Sequence, residues 1–147
     1  MIGREDKSLE RQFRYWNLRR KGETQSEIAR KFGITRQSVN KSIKLHEREV
    51  MYRLIETART SRTLVEWFDA KKGVLIGITP QLGNLHCIIL VDNINKTWVF
   101  HDQSKNEDRE LAASIIDDLK ESIKVSIGMD LKEEITFRSI LGSIYKR

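Results

Sequence analysis

The stretch from residue 25 to residue 43, QSEIARKFGITRQSVNKSI, decides how the first half of the chain folds. Ala29 is small enough for a second helix to pass closely over it, and Gly33 can adopt the positive φ that a tight turn requires. Apolar residues at helical spacing on both sides of the turn form a wedge between two helices: Ile28, Phe32, Ile34, Val39 and Ile43. The stretch therefore predicts a helix-turn-helix.

The ends of these helices are marked by capping residues. Residues 24–27, Thr-Gln-Ser-Glu, form a capping box that starts a short second helix, since the hydroxyl and the carboxylate can each accept a free backbone N–H. Thr35 can cap a third helix that starts at Arg36. Upstream, residues 8–21 predict a first helix with Gly22 as its C-terminal cap. Its inward-facing positions are Leu9, Phe13, Trp16 and either Tyr15 or Leu18.

Nothing in the sequence prevents the third helix from continuing well beyond the turn, towards residue 68, and whether it is continuous stays open. Such a helix is roughly 33 residues and about 50 Å long. Residues 60–63, Thr-Ser-Arg-Thr, are a candidate break, because their side chains compete for backbone hydrogen bonds. A basic helix of that length needs a partner along its apolar stripe, which predicts a role in dimerisation. That stripe consists of Ile43, Val50, Leu54, Ala58 and Val65.

The solvent side of the third helix carries long or amide-bearing side chains near its N-terminus. In the major groove of DNA, Arg pairs with guanine, and Asn or Gln pairs with adenine. The predicted base-reading residues are Arg36, Gln37, Ser38, Asn40 and Lys41. Around the turn, cations and helix N-termini would meet phosphates, where they give affinity without sequence information. The predicted phosphate-contacting residues are Arg19, Arg20, Lys21, Thr24, Gln25, Arg30, Lys31, Thr35 and Lys44.

These residues carry a family resemblance. The run over residues 22–40, preceded by LERQ (9–12) and LRRKG (18–22) and followed by IETAR (55–59), resembles the archaeal Tfx group of transcription regulators. More loosely, it is similar to the helix-turn-helix class of sigma-factor region 4 and LuxR-type proteins. The resemblance covers about residues 8–64. It implies a promoter-binding protein whose reading residues fall at Arg36, Gln37, Asn40 and Lys41.

The charge is divided unevenly along the chain. Residues 1–72 hold 18 Lys and Arg against 10 Asp and Glu, a net charge of +8, whereas residues 73–147 hold 9 against 11, a net charge of −2. The basic first half predicts a polyanionic partner. A solvated charged face of a helical protein explains the charge equally well, so the motif is needed to decide between the two.

Composition excludes several other classes of protein. The sequence has no apolar run long enough for a membrane span and no apolar stretch behind the charged start, so it predicts neither a span nor a secretory signal. We therefore expect a cytoplasmic protein. Cys87 is the only cysteine, which excludes an internal disulfide and a multi-cysteine zinc site.

From residue 73 the sequence changes to short apolar runs bounded by turn residues. This pattern predicts three antiparallel strands in a meander, over residues 74–79, 85–91 and 97–101. Residues 104–107 are a second capping box and predict a helix. Its apolar stripe is Leu111, Ile115, Leu119 and Ile123. The tail from residue 130 fits a helix or a strand, and we favour the helix.

The predicted fold class is α+β, with an all-helical helix-turn-helix domain, a long connecting helix, and a small three-stranded antiparallel meander with flanking helices. The predicted DNA-binding domain comprises residues 1–45. Residues 46–72 form a long linker or dimerisation helix, and residues 73–147 form an α+β dimerisation or sensor domain.

Two sets of side chains in the second half are candidates for chemistry. The first set consists of six side chains that could line a ligand pocket: Trp67, Phe68, Trp98, Phe100, His86 and His101. Aromatic residues at strand spacing, however, usually belong to a core. The second set is His86, Cys87, His101 and Asp102. Neighbours on a strand point to opposite faces, so His86 and Cys87 cannot easily share a site, and His101 with Asp102 lacks further metal ligands. We expect Cys87 to be a small buried hydrophobe. For the protein as a whole we expect no cofactor and no enzymatic activity.

The patterns together predict a sequence-specific transcription regulator that binds double-stranded DNA as a homodimer. A lone half-site carries limited discrimination, and two reading helices must lie about 34 Å apart. The predicted interface is residues 45–72 with the C-terminal module, which also leaves room for a small-molecule or protein effector. Two alternatives stay open. One is a DNA-recombination or mobile-element accessory protein that recruits a partner through its C-terminal module, and the other is a protein-interaction adaptor that never meets DNA.

Overall fold

The computed structural model of the chain describes residues 2–131 and 136–145. Three helices come first: α1 (Ile2–Arg20), α2 (Gln25–Phe32) and α3 (Arg36–Thr60). Four strands follow, with a short 3₁₀ helix (Pro80–Leu82) after the second: β1 (Leu64–Asp69), β2 (Val74–Thr79), β3 (Leu85–Val91) and β4 (Thr97–His101). The last two described helices are α4 (Arg109–Ile127) and α5 (Phe137–Tyr145). The fold class is therefore α+β, as predicted.

The strands form one antiparallel sheet in the order β1-β2-β3-β4, which is the middle layer of three. Side chains alternate across each strand, so the sheet has two apolar faces. Leu75 and Ile89 pack against α1, α2 and α3 in one buried cluster. Ile76 and Ile88 pack against α4 and α5 in a second cluster. The first three helices and the last two therefore lie on opposite sides of the sheet.

The helix ends beside the α2–α3 turn have the predicted caps. The hydroxyl of Thr24 accepts the backbone N–H of Glu27 at 3.1 Å, and the Glu27 carboxylate accepts that of Thr24 at 3.4 Å. Gly33 has a φ of 64° and donates its N–H to the carbonyl of Ala29. At the start of α3, the hydroxyl of Thr35 accepts the N–H of Ser38 at 3.1 Å. The capping predictions for α2 and α3 are confirmed.

The interpretation of residues 46–72 as a long helix and the prediction of three strands are wrong. α3 ends at Thr60, and the residues predicted to continue it form the fourth strand, β1. The helix ends at the candidate break, where the hydroxyl of Ser61 donates to the carbonyl of Thr57 at 2.8 Å. Arg62 then has a φ of 56°, which a right-handed helix cannot include. Val65, predicted to belong to the helical stripe, lies 41% exposed on the edge strand β1.

The boundaries of the last helices differ from the predictions in one respect. Residues 104–107 do not cap α4, because the helix begins at Arg109, where the carboxylate of Asp108 accepts the N–H of Leu111 at 3.0 Å. Leu119 and Ile123 of the predicted stripe are buried, whereas Leu111 is exposed. The helical prediction for the tail is confirmed by α5, while Ile135 lies outside the described residues.

Two arginines tie the helical layer to the sheet. Arg20 of α1 donates to the carbonyls of Lys72 at 3.1 Å and Val91 at 2.7 Å. Arg53 of α3 donates to the carbonyl of Asn95 at 2.6 Å, in the turn between β3 and β4. Together with the shared apolar cluster, these bonds fix α1 and α3 on the sheet. One buried cluster therefore joins residues of α1, α2 and α3 to residues of β2 and β3.

Candidate nucleic-acid interface

The α2–α3 pair is held together by the predicted wedge. All of its members belong to the buried cluster of the helical layer or pack against it: Ile28, Phe32, Ile34, Val39 and Ile43. The carbonyl of Ala29 accepts the N–H groups of both Gly33 and Ile34, the latter at 3.0 Å. These two hydrogen bonds to one carbonyl close the turn tightly and set the start of α3 beside α2.

The first turns of α3 have one buried side and one open side. Val39 and Ile43 are buried against the rest of the helical layer. The predicted base-reading residues lie elsewhere on the helix: Arg36, Gln37, Ser38 and Lys41 are exposed, and Asn40 is half-buried. Because the exposed side chains are not covered by any described element, a partner can reach them without rearrangement of the described chain.

Asn40 and Gln25 form a fixed amide pair. Gln25 Nε2 donates to Asn40 Oδ1 at 3.0 Å and so connects the first turn of α2 to the side of α3 that carries the predicted base-reading residues. The side-chain nitrogen of Asn40 is not used in this bond and can donate to a partner. Gln25, predicted to contact phosphate, is therefore placed as a support for a predicted base-reading residue.

The hydroxyl groups at the two helix starts take part in capping. Thr24 donates to a carboxylate oxygen of Glu27 at 3.0 Å, and Thr35 donates to Ser38 Oγ at 2.9 Å. The predicted contacts of Thr24 and Thr35 with phosphate thus involve residues whose first role is local structure. Their positions at helix N-termini suit anions, because the free backbone N–H groups there carry partial positive charge.

Arg20 does not fit the predicted phosphate-contacting set. Its guanidinium donates to the carbonyls of Lys72, Val91 and Asp92 and to the amide of Asn17, and it lies 4.3 Å from the ring centroid of Trp16. Burial lowers the pKa of Arg20 to about 9, and the Asp92 carboxylate opposes that shift, so the group is charged at neutral pH. Its donors are used within the protein, so we remove Arg20 from the phosphate set.

The other predicted cations remain at the surface: Arg19, Lys21, Arg30, Lys31 and Lys44. Lys31 forms an ion pair with Glu23 at 3.7 Å, and Lys21 donates to the side-chain oxygen of Asn93. Burial and the charge of Arg20 lower the pKa of Lys21. An exposed ion pair contributes at most about 1 kcal/mol, so these contacts can be exchanged for a phosphate.

The structure adds two cations that the sequence reasoning missed, Lys71 and Lys72, in the turn between β1 and β2. They line a cleft of about 420 Å³ together with residues of α1, α2 and α3. Among these lining residues are Arg19, Gln25, Asn40 and Lys44. The assignment of residues 46–72 to one helix concealed this hairpin. The signal that could have revealed it is the polar turn ending in Gly73 between two apolar runs.

The six side chains proposed to line a pocket in the second half do not come together. Trp67 and Phe100 pack against the cluster under α4 and α5. Phe68 pairs with Leu75, which faces the other helical layer. The indole of Trp98 donates to the carboxylate of Asp92 at 2.7 Å. The aromatic residues are therefore divided between the two faces of the sheet.

The two histidines and the cysteine of the sheet contact other strands of the sheet or are buried in the core. Cys87 is fully buried, which confirms its prediction, and burial raises the pKa of its thiol and makes it a poor nucleophile. His101 lies 3.3 Å from the hydroxyl of Thr79, and His86 lies 3.9 Å from the carboxylate of Glu66. Within residues 2–131 and 136–145, no group of three or more His, Cys, Asp or Glu side chains lies close enough together to hold a metal ion. In that same part of the chain, no helix combines the length and apolarity needed to cross a membrane.

Comparison with models of protein families, with curated proteins and with solved structures gives no match to this chain. The resemblance to the Tfx group and to the wider helix-turn-helix class therefore stays a prediction from residues 8–64. The functional interpretation depends on the geometry of α2, α3 and the basic cleft.

Proposed function

We propose that the chain is a sequence-specific DNA-binding transcription regulator, in which α2 and α3 form a helix-turn-helix and α3 enters the major groove from Arg36. One observation carries the proposal. The first turns of α3 bury Val39 and Ile43 and leave Arg36, Gln37 and Lys41 open. A helix that reads base edges needs one side to hold it on its domain and another that stays free. The proposed function is binding, without a catalytic step.

The chemistry of the open side suits base edges and phosphates. The planar guanidinium of Arg36 can donate two parallel hydrogen bonds to guanine, and the amide of Asn40 can pair with adenine. The exposed cations on both sides of this helix, Arg30, Lys31 and Lys44 among them, can approach the phosphate backbone. The net charge of +8 over residues 1–72 would attract DNA at long range.

The proposal includes a homodimer. Beyond its reading turns, α3 exposes Leu45, Tyr52 and Ile55, and Tyr52 is 66% exposed. The neighbouring edge strand β1 exposes Leu64 at 64%, and an edge strand also has free backbone hydrogen-bonding groups. A second copy that covers this surface would set the distance between two reading helices. Sedimentation of Tyr52→Glu should then show a shift towards monomer. Leu111→Glu, the same kind of change at an exposed apolar residue of α4 on the other side of the sheet, should sediment like the wild type.

Selection of bound sequences from random DNA tests the DNA-binding proposal. We expect one enriched motif, and a palindrome would report the symmetry of the dimer and its half-site spacing. Arg36→Ala should reduce discrimination at one base pair by about 1–3 kcal/mol. Lys31→Ala should weaken binding to all sequences alike and reduce the salt dependence. Failure of any sequence to bind or to be enriched would reject the proposal in favour of an adaptor that never meets DNA. Binding that does not change with salt would contradict it separately, because phosphate contacts release counterions.

A further inference from the structure

We infer that the β1–β2 hairpin turn, residues 69–73, is a second DNA-contacting element, in which Lys71 and Lys72 hold the phosphate backbone beside the groove that α3 enters. The inference rests on the proposed function. It adds a contact from the sheet to a binding surface that otherwise consists of α1, α2 and α3.

The position of the two lysines is the first argument. They lie on one wall of the basic cleft, and α3 supplies Asn40 and Lys44 from another wall. Gln25, the partner of Asn40, lines the same cleft. Because this amide pair borders both the cleft and the open side of α3, a duplex that α3 reads would have a phosphate strand close to the hairpin.

The charge of the cleft is the second argument. Its lining contains five cations and one carboxylate, that of Glu47; the cations are Arg19, Arg20, Lys44, Lys71 and Lys72. Neither Lys71 nor Lys72 forms an ion pair with any described residue. Asp69, the acid of the turn itself, accepts the backbone N–H of Lys71 at 2.8 Å. The ammonium groups of the hairpin are therefore available for an external anion.

The rigidity of the hairpin is the third argument. The indole of Trp16 donates to the carbonyl of Ala70 at 3.0 Å, and Arg20 donates to the carbonyl of Lys72 at 3.1 Å. Gly73 packs so closely that a Cβ atom there would lie 2.7 Å from the ring of Trp16. Since the turn is already fixed on α1, it loses little conformational freedom when it binds.

The test compares wild type with Lys71→Ala/Lys72→Ala across salt, on the DNA obtained by selection. Each phosphate contact contributes about 0.9 to the slope of log affinity against log salt concentration. We expect the slope to fall by about 1–2 and the affinity at about 0.1 M salt to fall about tenfold per lost contact. Sequence preference should not change, because phosphate contacts do not read bases.

The matched control is Lys105→Ala/Lys124→Ala, which removes the same charge from α4 and the loop before it, on the other side of the sheet. At about 0.1 M salt the Debye length is about 10 Å, so these distant lysines should change affinity less than about twofold. Thermal unfolding of both variants checks that they fold as the wild type does.

Three outcomes overturn the inference, and each is distinct. Equal slopes for the hairpin variant and the control would reject the hairpin contact and leave the proposed function intact. Absence of DNA binding by the wild-type protein would reject the proposed function itself. Tight binding of pyrophosphate to the free protein, lost in the hairpin variant while its DNA slope stays unchanged, would show that the cleft holds a small anion instead.

Discussion

Arg20 and Arg36 belong to the same layer of helices and have opposite surroundings. Arg20 donates to three backbone carbonyls and lies over the ring of Trp16. The guanidinium of Arg36 is exposed and makes no hydrogen bond or ion pair with the described residues. One side chain joins the helices to the sheet, and the other is free for a partner. What lies opposite a basic residue in the fold, and not its charge, decides which of these roles it takes.

Arg20→Ala is expected to have the largest effect, and the effect is on stability. It leaves the carbonyls of Lys72, Val91 and Asp92 without their donor and removes the cation from Trp16. Loss of these charged hydrogen bonds in a partly buried site should lower the free energy of unfolding by about 3–5 kcal/mol. Chemical denaturation measures the change. Arg36→Ala, the same truncation at an open position, should stay within about 0.5 kcal/mol of wild type.

The DNA affinities of a second pair of variants complete this test. Arg20→Lys keeps the positive charge but lacks the planar fork that reaches several carbonyls, so it should be less stable while its DNA affinity is kept. Arg36→Lys should keep stability and lose base preference. If Arg20→Ala unfolded like the wild type and only bound DNA more weakly, Arg20 would be a phosphate contact and the contrast between the two arginines would be wrong.

His46 is a second buried basic side chain of the helical layer, and its burial makes stability depend on pH. It is 1% exposed on α3, with its ring centroid 4.9 Å from that of Trp16 and 5.5 Å from that of Phe13. Neither ring nitrogen has a hydrogen-bond partner among the described residues. Burial, followed by the charges of Arg53 and Arg20, lowers the pKa of His46 from 6.5 to about 4.

This lowered pKa predicts loss of stability in mild acid. His46 takes up its proton near pH 6.5 in the unfolded chain and only near pH 4 in the folded chain. The contribution of neutral His46 to the free energy of unfolding is therefore complete above pH about 6.5 and is lost as the pH falls from about 6.5 to about 4. At about 1.36 kcal/mol per pKa unit, the loss is up to about 3 kcal/mol. Denaturation of wild type and His46→Leu at about pH 7 and pH 4 measures it. The variant should lose less, and an equal loss in both proteins would assign the acid sensitivity to carboxylates alone.

Much of the fold follows from local sequence signals. The bounds of β2, β3 and β4 agree with the apolar runs at residues 74–79, 85–91 and 97–101, because turn residues separate them. The turn at Gly33 and the caps at Thr24 and Thr35 also depend only on near neighbours, and each was predictable. The open side of α3 follows in the same way, since burial of Val39 and Ile43 fixes which residues face outward.

The features that sequence reasoning missed depend on distant partners. The strand β1 was hidden because Ala58 and Val65 have the spacing of one helical stripe, although only Ala58 is buried. The carbonyls that occupy Arg20 belong to residues more than fifty positions away. Lys71 and Lys72 reach the cleft of Asn40 only because the sheet folds back onto α1. The polar turn before Gly73 is a local sign of the hairpin, but no local pattern of charge or apolar spacing shows that its lysines reach this cleft.

Gly73→Ala tests how firmly the hairpin turn is fixed to α1, and Gly83→Ala is its matched control. Gly73 has a φ of 76° and Gly83 a φ of 77°, but a Cβ at Gly83 would meet nothing within 4 Å. Both variants should lose about 1 kcal/mol from left-handed backbone strain. Gly73→Ala should lose about 1–3 kcal/mol more, because its methyl group overlaps the ring of Trp16. Equal losses in chemical denaturation would show that the turn moves freely away from α1.

Gln25→Ala is expected to have the smallest effect, and it decides whether the Gln25–Asn40 pair serves base reading or backbone contact. With Gln25 removed, the amide of Asn40 can rotate, and ordering it again on adenine should reduce discrimination by about 1 kcal/mol, roughly fivefold. Ser26→Ala, at the adjacent exposed position, should bind like the wild type. Binding to the selected DNA and to its single-base variants measures the effect. A loss of discrimination confined to one base pair would show that Gln25 acts by supporting Asn40. An equal loss of affinity for every sequence would make Gln25 the phosphate contact that the sequence predicts, because contacts to the DNA backbone do not depend on the bases.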